Sequence, residues 1–113
     1  MPAAMKTIAH ATTATFAAEA LQSDAPVVLV DFWAPWCAPC RALTPALEAL
    51  ATERDDLKLV KVNTDEEQTL AASYGVMGLP TVLILRDGRP VGTITQAAPK
   101  RRLAAQIDAA IGV

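Results

Sequence analysis

Two cysteines, Cys37 and Cys40, are the only ones in the chain, and they stand directly after an apolar run from Val27 to Val30. That placement puts a dithiol between a buried strand and the first turn of a helix. Unpaired N–H groups and the positive end of the helix dipole stabilise a thiolate there, and the thiolate is the species that attacks a disulfide. Helix residues three apart share a face, so both sulfurs can reach bonding distance across one turn. Cys37, at the helix entrance, is expected to be the more exposed and more acidic thiol, and therefore the nucleophile. Cys40, one turn deeper, is expected to be shielded and to act as the resolving thiol. Pro39 falls in the first turn, where its missing N–H breaks no intrahelical bond, and it stiffens the link between the sulfurs.

Other uses of the pair are possible. Closing so short a loop removes little entropy from the unfolded chain, so a disulfide here has chemical rather than structural value. A zinc site needs about four ligands. With His10 the only histidine, two chains would have to share the metal. A buried, inert pair of cysteines is the bland alternative. The strand-to-helix setting favours reversible redox chemistry.

Asp31 is the second anomaly. It shares strand parity with Val27, Leu29 and Trp33 in a run apolar on both sides, which predicts a buried carboxyl. Burial without a partner raises a carboxyl pKa, and at the base of a dithiol such a group is a proton acceptor for Cys40. Lys61 shows the same parity with Leu57 and Leu59. It either pairs with Asp31 across adjacent strands or snorkels from a strand end.

These residues need elements to hold them. Strand-like runs cover Val27 to Phe32, Leu57 to Val62 and Thr81 to Leu85. All three are apolar at even and odd positions, as strands covered on both faces require. Asp87-Gly88 signals a hairpin into a strand over Pro90 to Thr95, whose Pro90 and Gly92 suit a sheet edge. Lys6 to Ala9 is a further edge candidate. Helical spacing appears at Phe16, Ala17, Ala20 and Leu21, at Leu43, Leu47 and Leu50, at Leu70 and Tyr74, and at Leu103, Ile107 and Ile111. Thr64 and Glu67 predict a capping box for the third helix, while Pro99 and Gly112 bound the last. The resulting order is an α/β pattern with helices able to cover both faces of a mixed sheet.

At 113 residues the chain is expected to form one domain, with residues 1–5 a flexible N-terminal extension. A net charge of -2 excludes a basic grip on nucleic acid or anionic lipid. The apolar stretch from Pro26 to Trp36 is too short to span a membrane and carries Asp31 in its middle. No continuous apolar segment follows Lys6, so a secretory signal is not expected and a cytoplasmic location is.

The segments 28–40 (through Trp36-Cys37-Ala38-Pro39-Cys40), 61–65, 74–81 (through Met77-Gly78-Leu79-Pro80) and Asp87-Gly88 together resemble the thioredoxin family, in order and at family spacing. The resemblance implies a thioredoxin fold, a five-stranded mixed sheet flanked by four helices, with Pro80 after a cis bond and facing the cysteines. It implies a docking surface formed by Trp36, Met77, Gly78 and Leu79, with Trp33 packed beneath it and Pro45 bending the second helix. It further implies a monomeric protein disulfide reductase with no bound cofactor. Its partners would be diverse disulfide-bearing proteins and a flavoprotein thioredoxin reductase supplying electrons from NADPH. Two departures stand out. Ala38 occupies a position where the family most often has glycine, and Gln96 another beside the docking groove, where its side chain could narrow the groove. A disulfide oxidase or isomerase, or a chaperone or assembly subunit without turnover, are the alternatives within the same fold.

Overall fold

The computed structural model describes residues 7–112; the predicted extension over residues 1–5, and Lys6 of the predicted first strand, lie outside them. The five strands are β1 (Ile8–His10), β2 (Val27–Trp33), β3 (Leu57–Asn63), β4 (Thr81–Arg86) and β5 (Arg89–Ile94). They form one sheet in the order β1-β3-β2-β4-β5. The pairs β1–β3 and β3–β2 run parallel, while β2–β4 and β4–β5 run antiparallel. The predicted five-stranded mixed sheet is therefore present.

Three α-helices and one π-helical turn cover the sheet: α1 (Ala38–Glu53), α2 (Gln68–Ser73), α3 (Lys100–Ile111) and the turn Ala17–Leu21. Alternation along the central strands sorts side chains between two cores. Val27, Leu29 and Leu59 pack with Leu43, Leu47 and Leu50 of α1 and Leu103 and Ile107 of α3. Val28, Val30, Phe32, Val60 and Val62 pack on the opposite face with Phe16, Ala20 and Leu70. Two-sided coverage explains why these strands read as unbroken apolar runs.

β5 lies at the sheet edge, as its Pro90 and Gly92 predict, and it carries an irregularity. Between Ile84↔Gly92 and Leu85↔Pro90 the register slips at Val91. This bulge accommodates a proline lacking a ladder donor. The hairpin turn places both Asp87 (φ 53°) and Gly88 (φ 79°) in the left-handed region. A two-residue type I′ turn demands that conformation at both positions. In α3, Pro99 stands at the N-cap and Gly112, with φ 83°, ends the helix. Its left-handed conformation is the common way to close a helix with glycine.

Two local expectations fail. The first predicted helix shortens to a single π-helical turn, closed by Gln22 N–H on the Ala17 carbonyl at 2.8 Å. Phe16 and Ala20 are buried there, but Ala17 and Leu21 are exposed, so the apolar face covers one turn only. The predicted capping box of α2 does not form either. Thr64 directs its hydroxyl to the Trp33 carbonyl at 3.1 Å. Glu67 accepts from the Thr13 N–H at 2.8 Å and the Thr13 hydroxyl at 3.0 Å. The long-range bonds tie the β1 loop to α2, and they outcompete a local cap.

Gly92 marks the closest approach of β5 to α3: a Cβ built on it would stand 2.8 Å from the Ala110 Cβ and 3.4 Å from the Ile84 Cδ1. Gly92→Ala is therefore expected to push α3 off the sheet and to destabilise the fold by about 1–3 kcal/mol. Urea unfolding with an unchanged midpoint would show that the helix yields freely.

Candidate active site

Cys37 is the N-cap of α1, and its Sγ accepts a hydrogen bond from the Cys40 N–H at 3.2 Å. A side-chain acceptor at the N-cap satisfies one of the free N–H groups of the first turn. Here the acceptor is sulfur, so the same bond that starts the helix also stabilises negative charge on the thiol. The two cysteines are disulfide-bonded, with Cα atoms 5.3 Å apart. Ala38 and Pro39 between them are exposed.

The expected difference in exposure between the two thiols is absent: Cys37 is 3% exposed and Cys40 2%. Ala34 lies in the same buried cluster, with Trp33 and Leu79 packed against it, and these side chains cover both sulfurs in the oxidised state. What separates the two cysteines is therefore their relation to the helix N–H groups rather than accessibility.

The turn ahead of Cys37 is held from two sides. Arg41 donates from Nη1 to the Pro35 carbonyl at 2.8 Å, and the Trp36 indole N–H donates to Asp65 Oδ1 at 3.1 Å. Neither Arg41 nor Asp65 stands out in the sequence, because both act through contacts that only the fold creates. Trp36 is 68% exposed and Met77 97% exposed. Both are large apolar side chains exposed to solvent on the wall of one cavity. With Thr64, Gln68, Ala71, Val76, Gly78 and Leu79 they line a cavity of ≈ 280 Å³. A second depression, of ≈ 450 Å³, shares Met77, Gly78 and Leu79 with the first and includes Pro80, Thr81, Thr93 and Thr95. The Leu79–Pro80 bond is cis, and Pro80 is buried. Gln96 is exposed, and Thr95 rather than Gln96 contributes to the wall of that depression.

Asp31 is fully buried, as its parity predicts, on the sheet face covered by α1. Burial pushes its carboxyl from 3.8 up to about 6, against the opposing influence of the Thr44 hydroxyl and the Lys61 charge. Thr44 Oγ1 lies 3.0 Å from Asp31 Oδ2 and 2.9 Å from the Cys40 carbonyl oxygen. Asp31 and Lys61 are register partners on adjacent strands. The expected direct pairing does not follow, however. The longer lysine reaches past the aspartate to Glu48 of α1 at 3.5 Å and lies 5.7 Å from the Trp33 ring centroid. Lys61 acts on Asp31 as a nearby charge only. Among the described residues, no three His, Cys, Asp or Glu side chains cluster as a metal site would need. No helix among them is long and apolar enough to cross a membrane.

Comparison with known proteins agrees with this geometry. The thioredoxin family model matches residues 7–109. The chain is 48% identical over 105 residues to thioredoxin 1 of Synechococcus elongatus, covering 92% of this chain and 97% of that one. It is 48% identical over 97 residues to the thioredoxin of Bacillus subtilis, covering 85% and 90% of the two chains. Its structure is similar to that of a mutant thioredoxin from Halobacterium salinarum NRC-1, with a TM-score of 0.82 at 34% identity, over 96% of this chain and 95% of that one.

The Asp31 shift sets a pH dependence of stability. A carboxyl with a folded pKa above its unfolded value binds its proton more tightly in the folded chain. Its contribution is therefore most favourable below pH 3.8, is lost as the pH rises toward 6, and is flat beyond. Asp31→Asn removes that loss and is expected to stabilise the protein by about 3 kcal/mol at pH 8 while changing little at pH 4. Equal effects of the substitution at the two pH values, in urea titrations, would place the Asp31 pKa near its ordinary value.

Proposed function

The chain belongs to the thioredoxin family and is a thiol–disulfide oxidoreductase that reduces protein disulfides, and we propose that Cys37 is its attacking thiolate, Cys40 its resolving thiol and Asp31 the acceptor of the Cys40 proton. The reduced Cys37 sulfur attacks a substrate disulfide, forming one mixed disulfide and expelling the other substrate sulfur as a thiolate. Cys40 then attacks the Cys37 sulfur, expels the second substrate thiolate, and leaves the Cys37–Cys40 disulfide. Two electrons pass from the dithiol to the substrate, and the Cys40 proton passes to Asp31.

The N–H of Cys40 directed at the Cys37 sulfur carries this assignment. It stabilises charge on Cys37 alone, so the two thiols differ in acidity although they are equally covered. Asp31 supports its role by combining burial with a pKa of about 6. That is close to where a general base works best at neutral pH. Lys61 tunes it from a distance, and Pro39 holds the inter-cysteine turn.

Members of the family act with a reductase and disulfide-bearing substrates in general. For this chain the reading is that NADPH electrons arrive through a flavoprotein thioredoxin reductase, and that residues 1–113 work in the cytoplasm as a monomeric single domain. Substrates dock on the ridge formed by Met77, Gly78 and Leu79 beside Trp36 and Pro80. Extended backbone and a disulfide are features many proteins share, which fits a docking face with few charges.

Cys40→Ser is expected to accumulate a stable mixed disulfide at Cys37 with a disulfide-bonded protein, detected by mass spectrometry. Cys37→Ser should form none at neutral pH. Adducts of comparable yield in both variants would overturn the assignment of nucleophile and resolving thiol. Asp31→Asn is expected to slow turnover about tenfold or more between pH 7 and 8, above the Asp31 pKa of about 6. Stopped-flow rates equal to wild type across that range would remove Asp31 from proton transfer.

A further inference from the structure

We propose that Thr44 is a positioning residue for the proton transfer, its hydroxyl donating to Asp31 Oδ2 so that the carboxylate stays ionised and Oδ1 is left as the oxygen that takes the proton. The inference rests on the reading of Asp31 as the acceptor and adds to it the group that prepares Asp31 for that work.

Thr44 lies one helical turn after Cys40 on α1, and its Oγ1 is within hydrogen-bond distance of both Asp31 Oδ2 (3.0 Å) and the Cys40 carbonyl (2.9 Å). A hydroxyl has one hydrogen and two acceptors compete for it. In an α-helix the carbonyl of residue 40 already receives the N–H of residue 44, so that carbonyl does not depend on the hydroxyl. An ionised carboxylate at a fully buried position does. Its charge-assisted bond is also the stronger of the two. With Asp31 charged, the hydrogen therefore points to Oδ2. Once Asp31 is neutral the charge assistance is gone and the Cys40 carbonyl competes on equal terms. The bond thus favours the form of Asp31 that accepts a proton over the form that has received one.

The other oxygen is different. Asp31 Oδ1 is buried and has no hydrogen-bond partner among the described residues. A carboxylate oxygen that accepts no bond from the protein is the more basic of the two. Thr44 thereby sets which oxygen receives the proton as well as how readily the carboxyl ionises. It does so from the helix that carries Cys40, so a shift of that helix carries both groups together. Thr44 and Cys40 also share the wall of a cavity of ≈ 260 Å³ with Lys61 and Arg41.

The remaining groups around Asp31 do not duplicate this role. Lys61 from β3 lowers its pKa and Glu48 from α1 raises it, and the two are paired with each other at 3.5 Å. On β4 its register partner is the apolar Val82. The cysteines on α1 are disulfide-bonded in this state. Among the described residues, Thr44 alone brings a hydroxyl to the carboxylate.

The test compares Thr44→Val, which keeps the branched shape and removes the hydroxyl, with Thr44→Ser, which keeps the hydroxyl. Thr44→Val is expected to move both the acidic limb of the disulfide-reduction rate and the Asp31 carboxyl titration, followed by carbon NMR, upward by about one pH unit. Thr44→Ser should return both to the wild-type position. In an Asp31→Asn background Thr44→Val should cause no further slowing. Thr44→Ala, measured the same way, stands in should the valine variant not fold. An unmoved Asp31 titration in Thr44→Val, a serine variant that behaves like valine, or equal slowing with and without Asp31 would each overturn the proposal. Failure of the underlying reading looks different: the acidic limb would persist in Asp31→Asn itself.

Discussion

A single backbone N–H aimed at the Cys37 sulfur is the contact on which the proposed chemistry depends. It exists because Cys37 is the N-cap of α1, and Cys37 is the N-cap because β2 ends at Trp33 and the turn through Ala34, Pro35 and Trp36 leads straight into a helix. In most helices that position is held by an oxygen from Ser, Thr, Asp or Asn. Replacing the oxygen by sulfur keeps the cap and adds a reactive group whose ionised form the helix favours. Structure and reactivity therefore share one hydrogen bond. The flanking anchors, Arg41 on the Pro35 carbonyl and Asp65 on the Trp36 indole, hold the turn on either side of it.

Asp31 in its proposed role shows the opposite relation, in which function works against stability. A side chain of its parity on β2 should be a Val or Leu like its neighbours, yet a carboxyl is buried there. It penalises the folded state at every pH above its unfolded pKa. The penalty is confined by what surrounds it. Thr44 satisfies one oxygen, and the Lys61–Glu48 pair supplies opposing charges from two different elements. A fully satisfied Asp31 would be more stable and a poorer proton acceptor. The partial satisfaction seen here leaves the carboxyl near neutral pH, where it can both take and return a proton.

Much of this was legible in the sequence. The strands could be placed because two-sided burial leaves unbroken apolar runs, and Asp31 stood out because it interrupts one. The proline and glycine of β5 predicted an edge by simple backbone arithmetic, and the bulge falls between them. What could not be read were contacts made by long or polar side chains between distant segments. Glu67 caps nothing locally because Thr13, 54 positions away, offers it two donors. Lys61 bypasses its register partner because α1 crosses at a height the sequence does not state. Thr44 had one available signal, a hydroxyl one turn after Cys40, but its meaning depends on which strand residue lies beneath that turn. The equal cover of the two cysteines depends likewise on Leu79, brought in from a loop far along the chain.

The proposed docking face bears on how a disulfide reductase can be general. Trp36 and Met77 expose large apolar surfaces on the wall of one depression, and Met77 also lines a second. Two exposed large apolar side chains are few beside the roughly 20–30 residues a side that a stable protein complex buries. Such a surface holds a partner only briefly by non-covalent contact. In the proposed mechanism commitment comes instead from the mixed disulfide, a covalent bond whose lifetime is set by Cys40 and by the proton acceptor behind it. On the proposed docking, selectivity is thus weak where the substrate lands and strong where the sulfur reacts. Enlarging the apolar contact would lengthen the residence of the reduced product without accelerating either exchange step, so a modest face suits a turnover catalyst better than an extensive one.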